Sequence, residues 1–247
     1  MAAIDRDFIR NCYQGRFANK TRGLPDCDRQ KQYLIGLLKQ SDKKNDYILD
    51  AGCGNGEYSQ YLANCGFNNL FAVDLFDYLD LADPIVYRKS SIDDLAYDNN
   101  TFDYIFCYSV IFYLDSIEKG INELNRVLKR NGTVLITAHT KYSLYTLWRI
   151  LKRRFKPDRV KHLQGVKFYS AAYYEKIFKE SGFEVKYVDG YFANSIVKRI
   201  YYLIRRRIKK RFGYKLPCLT LIYTKNKLIR RIRSVIGYHS VILATKL

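Results

Sequence analysis

Short apolar runs alternate with segments of helical periodicity along most of the chain. Runs of consecutive or alternating apolar residues predict strands at 47–50, 70–74, 85–88, 103–108, 133–138, 183–188 and 240–245. Apolar residues that recur every three or four positions predict helices at 28–41, 57–65, 116–129 and 171–181. Regular alternation of strand and helix is typical of a parallel sheet that helices cover on both faces.

The pattern therefore predicts the fold class α/β, a doubly wound seven-stranded sheet that is mostly parallel, with the last strand antiparallel. Residues 190–238 break the alternation, because they contain fourteen Lys and Arg and no Asp or Glu. We interpret them as a basic helical insertion before the last strand. The main domain is then formed by residues 1–189 and 239–247, a size that fits the 247 residues of the chain.

Charge divides the chain into two unlike halves. Residues 1–140 hold 16 Lys and Arg against 19 Asp and Glu, which gives −3, whereas residues 141–247 hold 27 against 5, which gives +22. Because charge of one sign attracts partners of the other sign, the second half is expected to meet something anionic.

Cysteine spacing and hydropathy bear on the compartment. The six cysteines form no CxxC pair and none lies at metal-ligand spacing from a histidine, so we expect reduced thiols and predict no metal site. The first ten residues carry two Asp and two Arg with no apolar run behind them, unlike a signal peptide. No apolar stretch approaches the roughly 20 residues needed to span a bilayer. We expect a cytoplasmic protein, either in solution or peripheral on the inner face of the membrane.

A glycine-rich loop follows the first predicted strand. Gly52, Gly54 and Gly56 alternate there, and glycine allows a sharp turn and close approach of the backbone to a ligand. A helix is predicted to begin directly after the loop, so its free N–H groups face the same place. Asp74 ends the second strand 22 residues after Gly52, where a carboxylate can accept hydrogen bonds from ribose hydroxyls. A nucleoside-binding site is expected.

The segment 48–56, with the sequence Ile-Leu-Asp-Ala-Gly-Cys-Gly-Asn-Gly, resembles the first motif of the class I methyltransferases that use S-adenosylmethionine. Dinucleotide-binding enzymes space their third glycine one residue further on. The likeness continues through 93–103, before the fourth strand, and through 124–133, before the fifth. It covers roughly residues 45–140 well and the remainder in outline.

The resemblance implies that S-adenosyl-L-methionine is the cofactor. The backbone of Gly52 to Gly54 and the carboxylate of Asp50 would hold its methionine part, Asp74 would hold the ribose, and Leu75 would pack on the adenine. Where many relatives carry an acid for the adenine amine this chain has Ser91, followed by Ile92, whose backbone could contact the ring edge. The predicted cofactor-contact residues are Asp50, Ala51, Gly52, Cys53, Gly54, Asn55, Gly56, Asp74, Leu75, Ser91, Ile92 and Tyr108.

Histidines are the candidate catalytic residues. Methyl transfer from a sulfonium depends mainly on an in-line approach of the nucleophile, and a hydroxyl acceptor would be helped by a base active near neutral pH. His139, just past the fifth strand, is one predicted base. His162 is the other, by resemblance, because related methyltransferases often carry a histidine in a stretch like this one, before the helix at 171–181. For each, an ordinary hydrogen-bonded histidine is the alternative. His239, before the last strand, is given no role.

Basic amphipathic segments recur in the second half of the chain, at 142–155, 194–212 and 228–236. Their charge and apolar stripes are typical of docking on an anionic membrane. Two alternatives stay open: contact with nucleic acid through phosphates, and a helical lobe that buries its apolar face in the domain.

The functional hypothesis is a methyltransferase that transfers a methyl group to a hydroxyl, or to an amine or carbon, of a small or lipid-linked acceptor, at the membrane surface or away from it. An RNA methyltransferase is the first alternative, and a nucleotide-binding module without catalytic activity is the second. The sequence does not predict the oligomeric state.

Overall fold

The computed structural model describes residues 36, 42, 44–75, 81–155, 166–191, 207, 211, 213, 227–237 and 239–247. Apart from single residues, the predicted helices at 28–41 and 194–212 lie outside this part of the chain. Within the predicted insertion at 190–238, only residues 190, 191, 207, 211, 213 and 227–237 are described, so the predicted division into domain and insertion stays a prediction.

Seven strands form one sheet. They are β1 (Tyr47–Ala51), β2 (Asn69–Asp74), β3 (Ile85–Lys89), β4 (Phe102–Tyr108), β5 (Leu128–His139), β6 (Phe183–Tyr191) and β7 (His239–Lys246). Their order is β3-β2-β1-β4-β5-β7-β6. Strands β1 to β5 pair in parallel, and β7 is antiparallel to both of its neighbours, which confirms the predicted fold class. The strand order reverses between β1 and β4, and ligands of open α/β sheets bind at such a point, beyond the carboxyl ends of the strands.

The described residues contain five α-helices and one 3-10 turn. The helices are α1 (Glu57–Asn64), α2 (Ile117–Val127), α3 (Leu144–Phe155), α4 (Ala171–Glu180) and α5 (Lys227–Ile236), and the turn is Ile111–Tyr113. Helix α2 begins at the Ser116 cap, whose hydroxyl accepts from the backbone N–H of Lys119 at 3.1 Å. Within the described part of the chain, none of the helices is both long and apolar enough to cross a bilayer.

One predicted boundary is wrong. The periodicity of 116–129 predicts helix to residue 129, but α2 ends at Val127 and Leu128 already begins β5. Leu128 pairs with Phe102 of β4 across the sheet. Because both side chains are fully buried there, burial in the sheet outweighs the local preference for one more helical turn.

The core occupies both faces of the sheet. Adjacent strand residues point to opposite faces, and accordingly Leu49 belongs to a large cluster with α2 and α4, whereas Ile48 packs in a second cluster with α1. The apolar stripe of α2 lies in the first cluster and includes Ile117, Ile121 and Leu124. Central strands buried on both faces fix the positions of their carboxyl ends, where the candidate site lies.

Candidate functional site

The glycine loop lies at the carboxyl end of β1. Gly52, Gly54 and Gly56 have φ of 79°, 60° and 76°, a region that side chains with a Cβ rarely adopt. A Cβ on Gly52 would lie 2.6 Å from the side chain of Val110. The backbone N–H of Gly52 donates to the carbonyl of Val73 at 2.8 Å, which ties the loop to β2. The loop therefore needs glycine for its conformation, and at Gly52 also for its close packing.

Two carboxylates converge on this loop. Asp74 accepts from the backbone N–H of Gly54 at 2.8 Å and from that of Leu75 at 2.7 Å. Asp50 is 2% exposed and accepts from the hydroxyl of Ser59, in α1, at 2.6 Å. A carboxylate has about four lone-pair sites, so each retains capacity to accept further hydrogen bonds.

Burial changes the acidity of both groups. It raises the pKa of Asp50 to about 7; the charge of Asp74 adds to the rise, while the Ser59 hydrogen bond opposes it. Burial also raises the pKa of Asp74, against the hydrogen bonds from Gly54 and Leu75. Two adjacent acids at this edge suit a ligand that brings positive charge and hydroxyl donors. S-adenosylmethionine has both, in its ammonium and sulfonium groups and in its ribose, so these residues fit the cofactor implied by the sequence.

The other predicted cofactor residues surround the same edge of the sheet. Ala51 and Ile92 are buried, and the amide of Asn55 contacts Glu57. Burial raises the pKa of the Cys53 thiol, which keeps it protonated and unreactive. Ser91 donates to the carboxylate of Asp93, so these two residues form one polar unit at the place where relatives carry an acid. The contacts of all twelve predicted residues with the cofactor stay a prediction.

A second polar cluster lies at the neighbouring strand ends, and we call it the histidine cluster: Ser109, His139, Arg149 and His239. His139 ends β5 and His239 begins β7, and the two residues pair across these strands. Their ring centroids are 4.3 Å apart. Arg149 Nη1 lies 3.2 Å from His139 Nε2, and Ser109 Oγ lies 3.1 Å from His239 Nε2.

Hydrogen bonding and burial keep the imidazoles of this cluster neutral. A guanidinium only donates, so Nε2 of His139 is the acceptor in its contact with Arg149, and the ring proton is assigned to Nδ1. Burial lowers the pKa of His239 well below the usual range, and the neighbouring His139 and Arg149 lower it further. A neutral imidazole is the form that can accept a proton, but the lowered pKa also makes His239 a weaker base than a free histidine.

Ser109 follows β4 in a left-handed conformation with φ of 59°, which is uncommon for a residue other than glycine. Its backbone N–H donates to the Thr137 carbonyl and to the Thr137 hydroxyl, both at 3.0 Å. These contacts hold the strained residue in place. Such strain is concentrated at functional sites.

The glycine loop and the histidine cluster adjoin each other. Gly52 packs on Val110, the residue after Ser109. On the other side, the ring of Tyr58 in α1 packs at a tilt against that of Tyr108, with ring centroids 4.4 Å apart, and Tyr108 meets His239 edge to face at 5.9 Å. Both groups therefore line one region at the carboxyl ends of β1, β4 and β5.

Sequence reasoning missed part of this cluster. His139 lies in the cluster because it ends a strand, as the sequence indicates. Strand pairing brings His239 to the cluster, and helix α3 brings Arg149. Neither of these two contacts is predicted by a local motif. The sequence did hold one signal for His239: it precedes the predicted last strand, and pairing of that strand with the fifth would place it near His139. His162 lies outside the described residues, and its predicted role stays a prediction.

A family model described as a methyltransferase domain matches residues 26–188 of this chain. A Methanocaldococcus jannaschii protein of uncharacterised function is 29% identical over 168 residues, which cover 66% of each chain. A malonyl-[acyl-carrier protein] O-methyltransferase from Hamiltonella defensa is 30% identical over 124 residues, 48% of each chain. A ubiquinone biosynthesis O-methyltransferase from Rickettsia typhi is 30% identical over 117 residues, 43% of this chain and 47% of that protein. The match thus spans about half the length of these two O-methyltransferases.

Solved structures share the fold. An S-adenosylmethionine-dependent methyltransferase from Thermotoga maritima superimposes with a TM-score of 0.59 at 15% identity, over 87% of this chain and 88% of that one. An S-adenosylmethionine-dependent methyltransferase from Mesorhizobium loti gives 0.57 at 13% identity, over 87% and 98%. At these identities, the structures bear on the architecture alone.

Proposed function

The chain belongs to the class I methyltransferase family that uses S-adenosylmethionine, and from this premise we propose that it methylates a hydroxyl group of a small or lipid-linked acceptor at the surface of a membrane. The cofactor supplies a methyl group that its sulfonium already activates. The protein then has to hold the cofactor, align the acceptor and take up one proton.

The observation that carries the proposal is the contact between the glycine loop and the end of β4. Because Gly52 packs on Val110, the loop lies beside Ser109 and so beside the histidine cluster. A donor held by the loop and an acceptor held by the cluster would be neighbours. Proximity of this kind is the main catalytic requirement of methyl transfer.

The residues divide between the two tasks. Asp74 accepts hydrogen bonds from the ribose, and Asp50 faces the cationic methionine part. In the histidine cluster, His239 accepts the proton of the hydroxyl, directly or through Ser109, as the new carbon–oxygen bond makes that proton acidic enough for a weakly basic imidazole. Arg149 holds His139 in one tautomer.

Two further observations favour an oxygen acceptor. Oxygen needs to lose a proton in this reaction, and the histidine cluster contains one neutral imidazole that can accept it, His239, whose Nε2 lies 3.1 Å from the Ser109 hydroxyl oxygen. Two of the relatives are named as O-methyltransferases. RNA is the second candidate acceptor, favoured by the charge of +22 in residues 141–247.

Two measurements test the proposal. Calorimetry of the full chain with S-adenosylmethionine should show saturable binding. The absence of binding would instead favour the second alternative, a nucleotide-binding module without catalytic activity. The protein is then incubated with methyl-labelled cofactor and, separately, with the lipid and the RNA fraction of its native host. Label in a lipid-soluble product supports the proposal. Label in RNA, or no label in either fraction from a protein that binds the cofactor, contradicts it.

A further inference from the structure

Among the described side chains of helix α5, polar ones lie toward the sheet and apolar ones are exposed. Arg233 donates from Nε to the carboxylate of Asp189 at 2.8 Å, and Asp189 is 1% exposed. Ser234 is buried beside it, while Leu228 is 69% exposed and Ile232 is half exposed. Amphipathic surface helices normally show the opposite arrangement.

Helix α3 is oriented in the same unusual way. Its buried residues include Thr146 and Arg149, and Arg149 reaches His139. Its exposed residues are Leu147, Trp148, Ile150, Leu151 and Phe155, and Phe155 is 72% exposed. Residues 147, 151 and 155 are four apart, so they form one stripe along the helix.

Both helices are rooted at the same end of the sheet. The backbone N–H of Ser143, just before α3, donates to the Thr140 carbonyl, and the Thr140 hydroxyl lies 3.1 Å from that of Ser240. The Ser240 hydroxyl donates to the Ser234 carbonyl of α5 at 3.1 Å. We call the exposed apolar residues of the two helices the outward face: Leu147, Trp148, Ile150, Leu151, Phe155, Leu228, Ile232 and Val235.

The outward face needs a partner that accepts apolar groups and cations together. Exposure of large apolar side chains to water is energetically unfavourable. Groups of such exposed side chains mark interaction sites. Basic side chains are interleaved with them: the Lys152 ammonium lies 4.5 Å from the centre of the Trp148 ring, and Arg154 and Lys227 are exposed. The half of the chain that carries both helices has a charge of +22.

We propose that the outward face docks on a bilayer that contains anionic phospholipid, with its apolar side chains in the headgroup layer and its Lys and Arg on the lipid phosphates. Amphipathic helices with basic flanks bind such surfaces. RNA would use the cations but has no layer into which Leu147, Leu151 and Phe155 could enter. This docking rests on the proposed function and adds to it the surface at which the protein would meet its acceptor.

The experiment is co-sedimentation of the full chain with vesicles, without cofactor. One set contains phosphatidylglycerol and phosphatidylcholine, the other phosphatidylcholine alone. We expect binding to the first set only. The triple variant Leu151→Ser, Phe155→Ser, Ile232→Ser should lose most of it, and Lys152→Gln with Arg154→Gln should weaken it about fivefold for each charge removed. Val86→Ser, which removes an exposed apolar residue on β3, is the matched control and should bind like the wild type.

Several outcomes would overturn the inference. Failure of the wild type to sediment with either set of vesicles is one, and full binding by the triple variant is another, because charge alone would then suffice. A dimer that the triple substitution dissociates would make the outward face a contact between copies of this chain, and RNA retention lost in the triple variant would assign it to RNA. Thermal unfolding and calorimetry with S-adenosylmethionine verify that each variant is folded. Vesicle binding without cofactor binding would leave the inference standing and overturn the proposed function.

Discussion

His139 and His239 face each other across the antiparallel pair of β5 and β7, with ring centroids 4.3 Å apart, although 100 residues separate them in the chain. The pair joins His139, where the sequence predicts a base, to His239, for which the sequence predicts no role. Since Arg149 contacts His139 and Ser109 contacts His239, the two imidazoles have different partners. They are therefore expected to behave differently when substituted.

His239 should make the protein less stable in mild acid. Burial, His139 and Arg149 lower the pKa of His239 in the folded chain well below the 6.5 of a free histidine, so unfolding takes up a proton. Its contribution to stability is complete above pH 6.5 and is lost as the pH falls through the folded-state value. The midpoint of thermal unfolding, followed from pH 7 to pH 5, should fall more steeply in the wild type than in His239→Asn. Parallel curves would contradict this.

Asp50 should have the opposite effect on stability. Its folded-state pKa, raised from 3.8 to about 7 by burial and by Asp74, means that the folded chain holds its proton more tightly than the unfolded chain. Stability is therefore lost as the pH rises from about 4 to about 7. Without cofactor, Asp50→Asn should raise the midpoint of unfolding at pH 8 but not at pH 4, and it should weaken S-adenosylmethionine binding. Ser59→Ala, which removes the hydrogen-bond donor to Asp50, should not raise the midpoint.

Asp74→Ala should impair binding of S-adenosylmethionine. The substitution removes the acceptor of the Gly54 N–H and the proposed acceptor of the ribose hydroxyls. Hydrogen bonds to a charged group contribute about 1.5–3 kcal/mol each, so calorimetry should show Kd at least about tenfold higher. Asp98→Ala removes an exposed acid outside the site and should leave Kd unchanged. Equal values for Asp74→Ala and wild type would show that the cofactor lies elsewhere.

Gly52→Ala should destabilise the glycine loop more than a comparable substitution elsewhere. Both Gly52 and Gly66 have positive φ, at 79° and 90°, and a Cβ in that region costs roughly 1–2 kcal/mol. Only at Gly52 would the Cβ also overlap Val110, whereas nothing lies within 4 Å at Gly66. Denaturant unfolding should show the larger loss for Gly52→Ala, and only this variant should lose cofactor affinity. Equal losses of unfolding free energy in the two variants would mean that the Val110 side chain moves aside without an energetic cost.

Asp189→Asn should loosen α5 from the sheet. Asp189 accepts from Arg233 Nε and from the Tyr187 hydroxyl, at 2.8 Å and 2.7 Å, and it is almost fully buried. Breaking a buried pair costs about 3–5 kcal/mol, because the remaining charge loses its partner. The exposed pair of Glu184 and Lys186 provides the control, since Glu184→Gln should change the free energy of unfolding by less than about 0.5 kcal/mol. A loss for Asp189→Asn no larger than that of the control would contradict the assigned role.

Gly190 belongs to the same junction. A Cβ there would lie 2.0 Å from the carbonyl oxygen of Arg233, so only glycine lets β6 approach the backbone of α5. The ion pair and the glycine contact together explain how a helix with an exposed apolar stripe is held on the sheet. The polar side of α5 attaches the helix to the sheet, and Leu228, Ile232 and Val235 stay exposed on the helix.

The sequence by itself determined the elements of the sheet and the glycine loop. Apolar periodicity is a local property, and it locates all seven strands to within a few residues, apart from the earlier start of β5. The loop at 52–56 is also predictable from local sequence. The spacing of its glycines determines the turn, and the strand that precedes the loop places it at the edge of the sheet. The position of Asp74 was predictable as well, because it is the last residue of the second strand.

Only the tertiary structure decided the histidine cluster and the orientation of α3 and α5. The contact of His139 with His239 depends on the register of β5 and β7, which is fixed by cross-strand packing between segments 100 residues apart. Amphipathic periodicity shows that a helix has two faces, but not which of them turns inward. In α5 that choice is made by Asp189, and in α3 the buried side chain is Arg149, which reaches His139. Burial of an ion pair or a hydrogen-bonded cation depends on partners from distant segments, which no local pattern contains.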